Sequence, residues 1–137
     1  MSAEVMMGVE FPAMRSYMEE GLESLSDNEY QWRVWIEHRL PTPQYYDDFT
    51  NAINILFDDT MVCEDPDGAV GSILFSDEVV YLRRLGGALE DLLTDDSLVK
   101  DIDFLNDRRW PTVVRLAQEA LVRVRANGSG KGPRSIP

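Results

Sequence analysis

A chain of 137 residues that is 44% apolar can bury one hydrophobic core and is too short for two ordinary domains. Its net charge of -12 repels nucleic acid and anionic lipid, so duplex binding and membrane attachment are excluded as expectations. A single cysteine, Cys63, leaves no pair for a disulfide or a CxxC site, which fits a reducing cytoplasm.

The charge is unevenly laid out. Residues 1–40 sum to -5, residues 41–107 to -13, and residues 108–137 to +6. Arginine outnumbers lysine eleven to two, as in proteins from GC-rich bacterial genomes.

Residues 1–9 lack periodicity and are expected to be flexible. Pro12 then suits a first helical turn, and Phe11, Met14, Met18, Leu22 and Leu25 recur at spacings of three and four. That predicts a first helix whose polar face is Glu19, Glu20 and Glu23. Ser26 with Glu29 forms a capping-box pattern that predicts a second helix from about Asp27 to His38. Its residues Tyr30, Trp32, Val34, Trp35 and Ile36 cover more than one stripe, so this helix is either central or leaves an aromatic on the surface. His38 falls in its last turn, where a cation favours the dipole.

Thr42 before Pro43 predicts the start of a third helix through Tyr46, Phe49, Ile53, Leu56 and Phe57, with Asp47 and Asp48 in its first turn. Asp58 and Asp59 mark its exit. Short apolar runs at Met61–Val62 and Ile73–Phe75 flank the turn-forming Asp65-Pro66-Asp67-Gly68, which allows a small hairpin around residues 61–75. Ser76 is expected to cap a fourth helix with Val79, Leu82, Leu85, Leu89, Leu92 and Leu93 on one face. Gly86-Gly87 inside it predicts either a kink or a close neighbour. A short helix from Ser97 to about Asn106 and a last one from Trp110 to a cap at Asn127-Gly128 complete the pattern, and residues 128–137 read as a disordered tail. The fold expected is mostly α, a single irregular bundle of five to six helices over residues 10–127.

No catalytic set emerges. Placing Gly68 at the sixth position of a calcium loop puts Cys63 first and Leu74 twelfth, where an acidic ligand is required. His38 is the only histidine, which excludes a multi-histidine metal site; neither a metal nor a cofactor is expected. Cys63 beside Glu64 and Asp65 has its thiolate disfavoured. Carboxylate neighbours such as Asp47-Asp48 and Glu90-Asp91 point about 100° apart on a helix and cannot converge on one atom. The basic residues Arg108, Arg109, Arg115, Arg123 and Arg125 read as internal compensation for the acidic middle.

The segments FPAMRSYMEEGLESLSDNEYQWRVWIEHRLP, YYDDFTNAINILFDD, SDEVVYLRRLGGALEDLL and RRWPTVVRLAQEAL resemble a family of small acidic actinobacterial proteins of unknown function, over most of residues 8–126. The resemblance implies a soluble bacterial protein and no activity, cofactor or site.

The leading functional expectation is a non-enzymatic protein-binding domain. Its acidic middle, with Asp58, Asp59, Glu64, Asp65, Asp67, Glu90 and Asp91, would meet a basic partner protein. An immunity protein or antitoxin that blocks a basic nuclease is one biological form of this, by analogy of charge. The alternative is a small-ligand or enzymatic domain with a pocket lined by Tyr30, Trp35, Tyr46 and Trp110. A homo-oligomer using the crowded face of the second helix is a third reading, and acidity that serves only solubility is a fourth.

Overall fold

The computed structural model describes residues 8–128, so most of the expected flexible N-terminus and all but Gly128 of the expected tail lie outside the described residues. Those residues form a small all-α bundle of six helices, and among them there is no strand.

Helix α1 is Pro12–Ser26, with Pro12 at its first position as expected. The amides of Glu10 and Phe11 donate to the carbonyls of Gly71 and Ser72, at 2.9 and 2.8 Å, which fixes the entry to the helix. Phe11, predicted on the apolar face, is half exposed at the cap, and Glu19, predicted on the polar face, is buried. Gly21 brings α1 close to its neighbour: a Cβ there would stand 3.0 Å from Ile55 Cγ2.

Helix α2 is an α-helical turn, Asn28–Tyr30, that runs on into a π-helical stretch, Gln31–Ile36. Its cap is Asp27, whose side chain accepts from the Tyr30 amide at 3.0 Å, and not Ser26, whose hydroxyl instead donates back to the Glu23 carbonyl. The wider π turn changes which side chains face inward, so that Gln31, Val34 and Trp35 are buried while Trp32 and Ile36 pack half-buried at the edge. His38 lies beyond the helix, exposed and with φ 57°, so it takes no last-turn position.

Helix α3 consists of Phe49–Ile53 and a π-helical continuation, Asn54–Asp59. It begins later than Thr42-Pro43 predicts, because Asp48 is the residue that caps it, accepting from the Asn51 amide at 2.7 Å. Asp47 is thereby freed from the first turn and points inward.

The hairpin expected around residues 61–75 does not form. A 3-10 turn, Asp67–Ala69, and a lone bridge between Val70 and Leu74 occupy the stretch, and the amides of Ile73 and Leu74 both donate to the Ala69 carbonyl. A second 3-10 turn, Ser76–Glu78, leads into helix α4, Val79–Leu93. Its start is closed by the Glu78 carboxylate, which accepts from the Phe75 amide at 2.9 Å, and not by the Ser76 hydroxyl. The Gly86-Gly87 pair leaves α4 unbroken. Gly86 is there for close packing, since a Cβ would stand 2.9 Å from the Cys63 carbonyl oxygen.

Helix α5 is Asp101–Asn106, shorter than the Ser97 start predicts, because the Asp103 carboxylate reaches back to the amides of Val99 and Lys100 and closes the turn there. Helix α6 is Trp110–Asn127. It is the spine of the bundle: α1 makes its most extensive contact with α6, and α4 lies against α6 beside it. Met18, Leu22, Leu82, Leu85, Leu89, Val113, Ala117 and Ala120 fill the space between them at 0% exposure. An aromatic group closes the other end, where Trp35 meets Trp110 edge-on at 6.1 Å and Phe49 stacks on Phe104 at 4.1 Å.

Candidate functional site

Three carboxylates lie inside the bundle, Glu19, Asp47 and Glu78, and the last two are surrounded by hydrogen-bond donors. Glu78, at 0% exposure, faces Arg15, at 2%. The guanidinium uses all five of its N–H groups: Nη1 and Nη2 donate to the two Glu78 oxygens at 2.8 and 2.6 Å, and the others to the carbonyls of Ile73, Val124 and Gly128. Glu78 also accepts from Asn127 at 2.9 Å, and the Arg15 guanidinium lies 4.8 Å from the centre of the Phe75 ring. One bidentate pair thus ties α1 to the start of α4 and the end of α6.

Asp47 is buried without a cation. Its Oδ2 accepts from the Ser24 hydroxyl at 2.7 Å, the Tyr30 hydroxyl at 2.8 Å and Trp35 Nε1 at 2.9 Å, and its Oδ1 from Asn51 at 2.8 Å. Gln31, also fully buried, donates to the Ser24 and Leu25 carbonyls and accepts from Trp110 Nε1 at 2.9 Å. Burial, and then the bonds to Tyr45 and Asp47, push the Tyr30 phenol far above its ordinary range. Burial also raises Asp101, whose carboxylate accepts from the Phe49 amide while the charge of Asp48 adds to the upward shift.

The aromatics proposed for a ligand pocket fall into this framework. Trp35 and Trp110, at 2% and 1% exposure, sit against each other with both indole N–H groups already bonded, so a ligand reaches them only by opening the core. Tyr30 is half-buried beside them, and Tyr46 stands apart at 66% exposure with its hydroxyl on Asp48.

The acidic side chains singled out in the sequence are all exposed, but they differ in what they touch. Asp67 pairs with Arg83, Asp65 accepts from the Gly68 amide at 3.2 Å, and Asp59 accepts from the Tyr17 hydroxyl at 3.1 Å. Asp58, Glu64, Glu90 and Asp91 have no cationic partner among the described residues. Cys63 lies against Gly86, one turn before Glu90 on the same side of α4, close enough for the Glu90 charge to act on its thiol. Burial pushes the Cys63 thiol up, and the Glu90 charge pushes it further, so this cysteine is an inert core residue.

Four of the five arginines of the basic C-terminal cluster are spent on internal matches, and Arg108 has no carboxylate partner among the described residues. Arg109 pairs with Asp95 and Asp107, Arg125 with Glu23, Arg115 with Glu119, and Arg123 lies 3.6 Å from Asp77. Among the described residues, no three His, Cys, Asp or Glu side chains come together as a metal site, and no helix is long and apolar enough to cross a membrane. At Asp58, Glu64, Glu90 and Asp91 the surface offers negative charge without a counter-ion among the described residues.

Sequence reasoning missed Arg15, Gln31, Asp47 and Glu78. The available signal was positional: Arg15 falls on the line of Met18, Leu22 and Leu25, and Gln31 on that of Val34 and Trp35.

No curated protein and no solved structure matches the chain. The model of the family described as a domain of unknown function, DUF7945, matches residues 9–131, and the chain belongs to that family.

Proposed function

We propose that this is a non-enzymatic protein-binding domain whose acidic face, centred on Asp58, Glu64 and Glu90 and extended by Asp59, Asp65, Asp67 and Asp91, meets a basic surface of a partner protein. The observation that carries the reading is the contrast within the acidic set: the buried Asp47 and Glu78 are surrounded by donors, while Asp58, Glu64, Glu90 and Asp91 are exposed and have no cationic partner among the described residues. Charge held in this way on helices speeds encounter and selects a partner of opposite sign. An immunity- or antitoxin-like inhibitor of a basic enzyme is the biological form that matches it, by analogy of charge alone.

The test is capture of a defined partner from host lysate by the tagged chain, compared at low and high salt and against the triple variant D58K/E64K/E90K. The reading expects a basic partner whose retention falls with salt and is lost in the variant. Retention that charge reversal leaves intact contradicts it.

A further inference from the structure

The outward face of α4 carries a glycine that the folded chain does not need. Around Gly87 nothing lies within 4 Å of the place a Cβ would occupy. Its backbone has no left-handed φ either, since the positive-φ glycines among the described residues are Gly71 and Gly128. A glycine inside an exposed helix weakens it through backbone entropy, and here neither a turn nor a neighbour among the described residues offsets that. Gly86 next to it is different, because the Cys63 carbonyl leaves it no room for a side chain.

Spacings of four, three and four place Val80, Arg84, Gly87 and Asp91 on one stripe of α4. All four are exposed, Val80 at 43%. The charge changes sign about the glycine: Arg84 precedes it by one turn and Asp91 follows it by one turn. Arg84 lies over the Tyr81 ring at 6.0 Å, and neither Arg84 nor Asp91 has a partner of opposite charge among the described residues. Beside the stripe, an open cleft of about 420 Å³ between α4 and α6 is lined by Tyr81, Arg84, Gln118, Glu119 and Val122. Val122 is 70% exposed.

We propose that this stripe is a self-association surface, on which a second copy of the chain lays its own α4 antiparallel across Gly87, so that each Arg84 meets the partner's Asp91. A two-fold interface has to be complementary to itself. A stripe that is cationic on one side of its centre and anionic on the other meets that condition when two copies run antiparallel, and it places like charges together when they run parallel. Glycine at the crossing point lets the helix axes approach to roughly 8 Å, the short end of helix packing. Val80 and Val122 then supply apolar surface that the monomer leaves in water. The surface is separate from the basic-partner face except at Asp91, so Asp58, Glu64 and Glu90 stay unaltered in its test.

Sedimentation equilibrium on the full chain over a wide concentration range reads the association directly. The expected result is a 15.6 kDa species that gives way to one of twice that mass as concentration rises. Gly87→Arg keeps the chain monomeric throughout, with an unchanged or raised melting temperature showing that the fold is intact. Arg84→Asp raises the dimer dissociation constant by about tenfold or more, and adding Asp91→Arg to it returns the constant to within about threefold of wild type. A chain that is monomeric at every concentration overturns the proposal. So does a dimer that Gly87→Arg leaves intact, or one whose loss in Arg84→Asp is not restored by the swapped pair.

Discussion

Glu78 and Asp47 lie inside the bundle, whereas Asp58, Glu64 and Glu90 lie on its surface, and the two groups are built in opposite ways. The inner pair is surrounded by donors: Glu78 by Arg15, Asn127 and an amide, Asp47 by two hydroxyls, an indole and an amide side chain. The outer group, Asp58 at the end of α3, Glu64 in the turn that follows and Glu90 near the end of α4, has no cation among the described residues. A buried carboxylate without partners would unfold the protein, so its surroundings are dictated by stability. An exposed one is free of that demand. Asp58, Glu64 and Glu90 are thus not held in place by the needs of folding.

The comparison breaks first at the buried ion pair. Arg15→Met should cost about 3–5 kcal/mol in chemical denaturation, because it strands Glu78 in the interior and removes three bonds to backbone carbonyls. The double change Arg15→Met with Glu78→Leu should recover part of that loss, since the uncompensated charge is gone. A cost under about 1 kcal/mol for the single variant would place the pair among weak surface bridges.

Asp47→Ala is the next largest effect. It leaves the Trp35 indole and the Ser24 hydroxyl without an acceptor in the core, for a loss of about 2–3 kcal/mol. Tryptophan fluorescence should shift with it, because Trp35 packs on Trp110. An unchanged denaturation midpoint would show that the network is dispensable.

A smaller effect is expected from acid. The Arg109 guanidinium and amide hold Asp107 down to about 2, from an ordinary value of 3.8. Its folded value is depressed, so its contribution is fully present above about pH 4 and is lost as pH falls toward 2. Melting temperatures recorded across that window should drop less in Asp107→Asn than in wild type. Equal slopes would show that this pair does not couple to folding.

The helices were legible in the sequence wherever an apolar period ran uninterrupted: α1, α4 and α6 bury most of the faces their spacing predicts, with Met18, Leu22, Leu85, Leu89, Val113 and Ala117 at 0% exposure, whereas Phe11 and Leu93 at the helix ends stay exposed. Legibility failed where side chains compete for the same backbone donors. Asp27 takes the cap that Ser26 offers, Asp48 the one that Thr42 offers, and Glu78 the one that Ser76 offers. In each case the longer or better placed carboxylate wins, and only the tertiary path of the chain decides which that is. The inner polar residues were hidden for a related reason. Asp47 reads as a first-turn charge of the third helix, and nothing local announces that Trp35 will reach it, or that Arg15 will reach Glu78, from elsewhere in the chain. The exposed set was legible as a list, while its division into engaged and unengaged carboxylates depends on contacts such as Arg83 on Asp67 that join residues far apart in sequence.

The central claim is that Asp58, Glu64 and Glu90 serve a partner and not the fold. Denaturation and partner capture measured side by side on the D58K/E64K/E90K variant test it most directly. The expected result is a stability within about 0.5 kcal/mol per site of wild type, together with loss of the salt-sensitive basic partner. A variant that unfolds, or one that is stable and still captures the same partner, would contradict it.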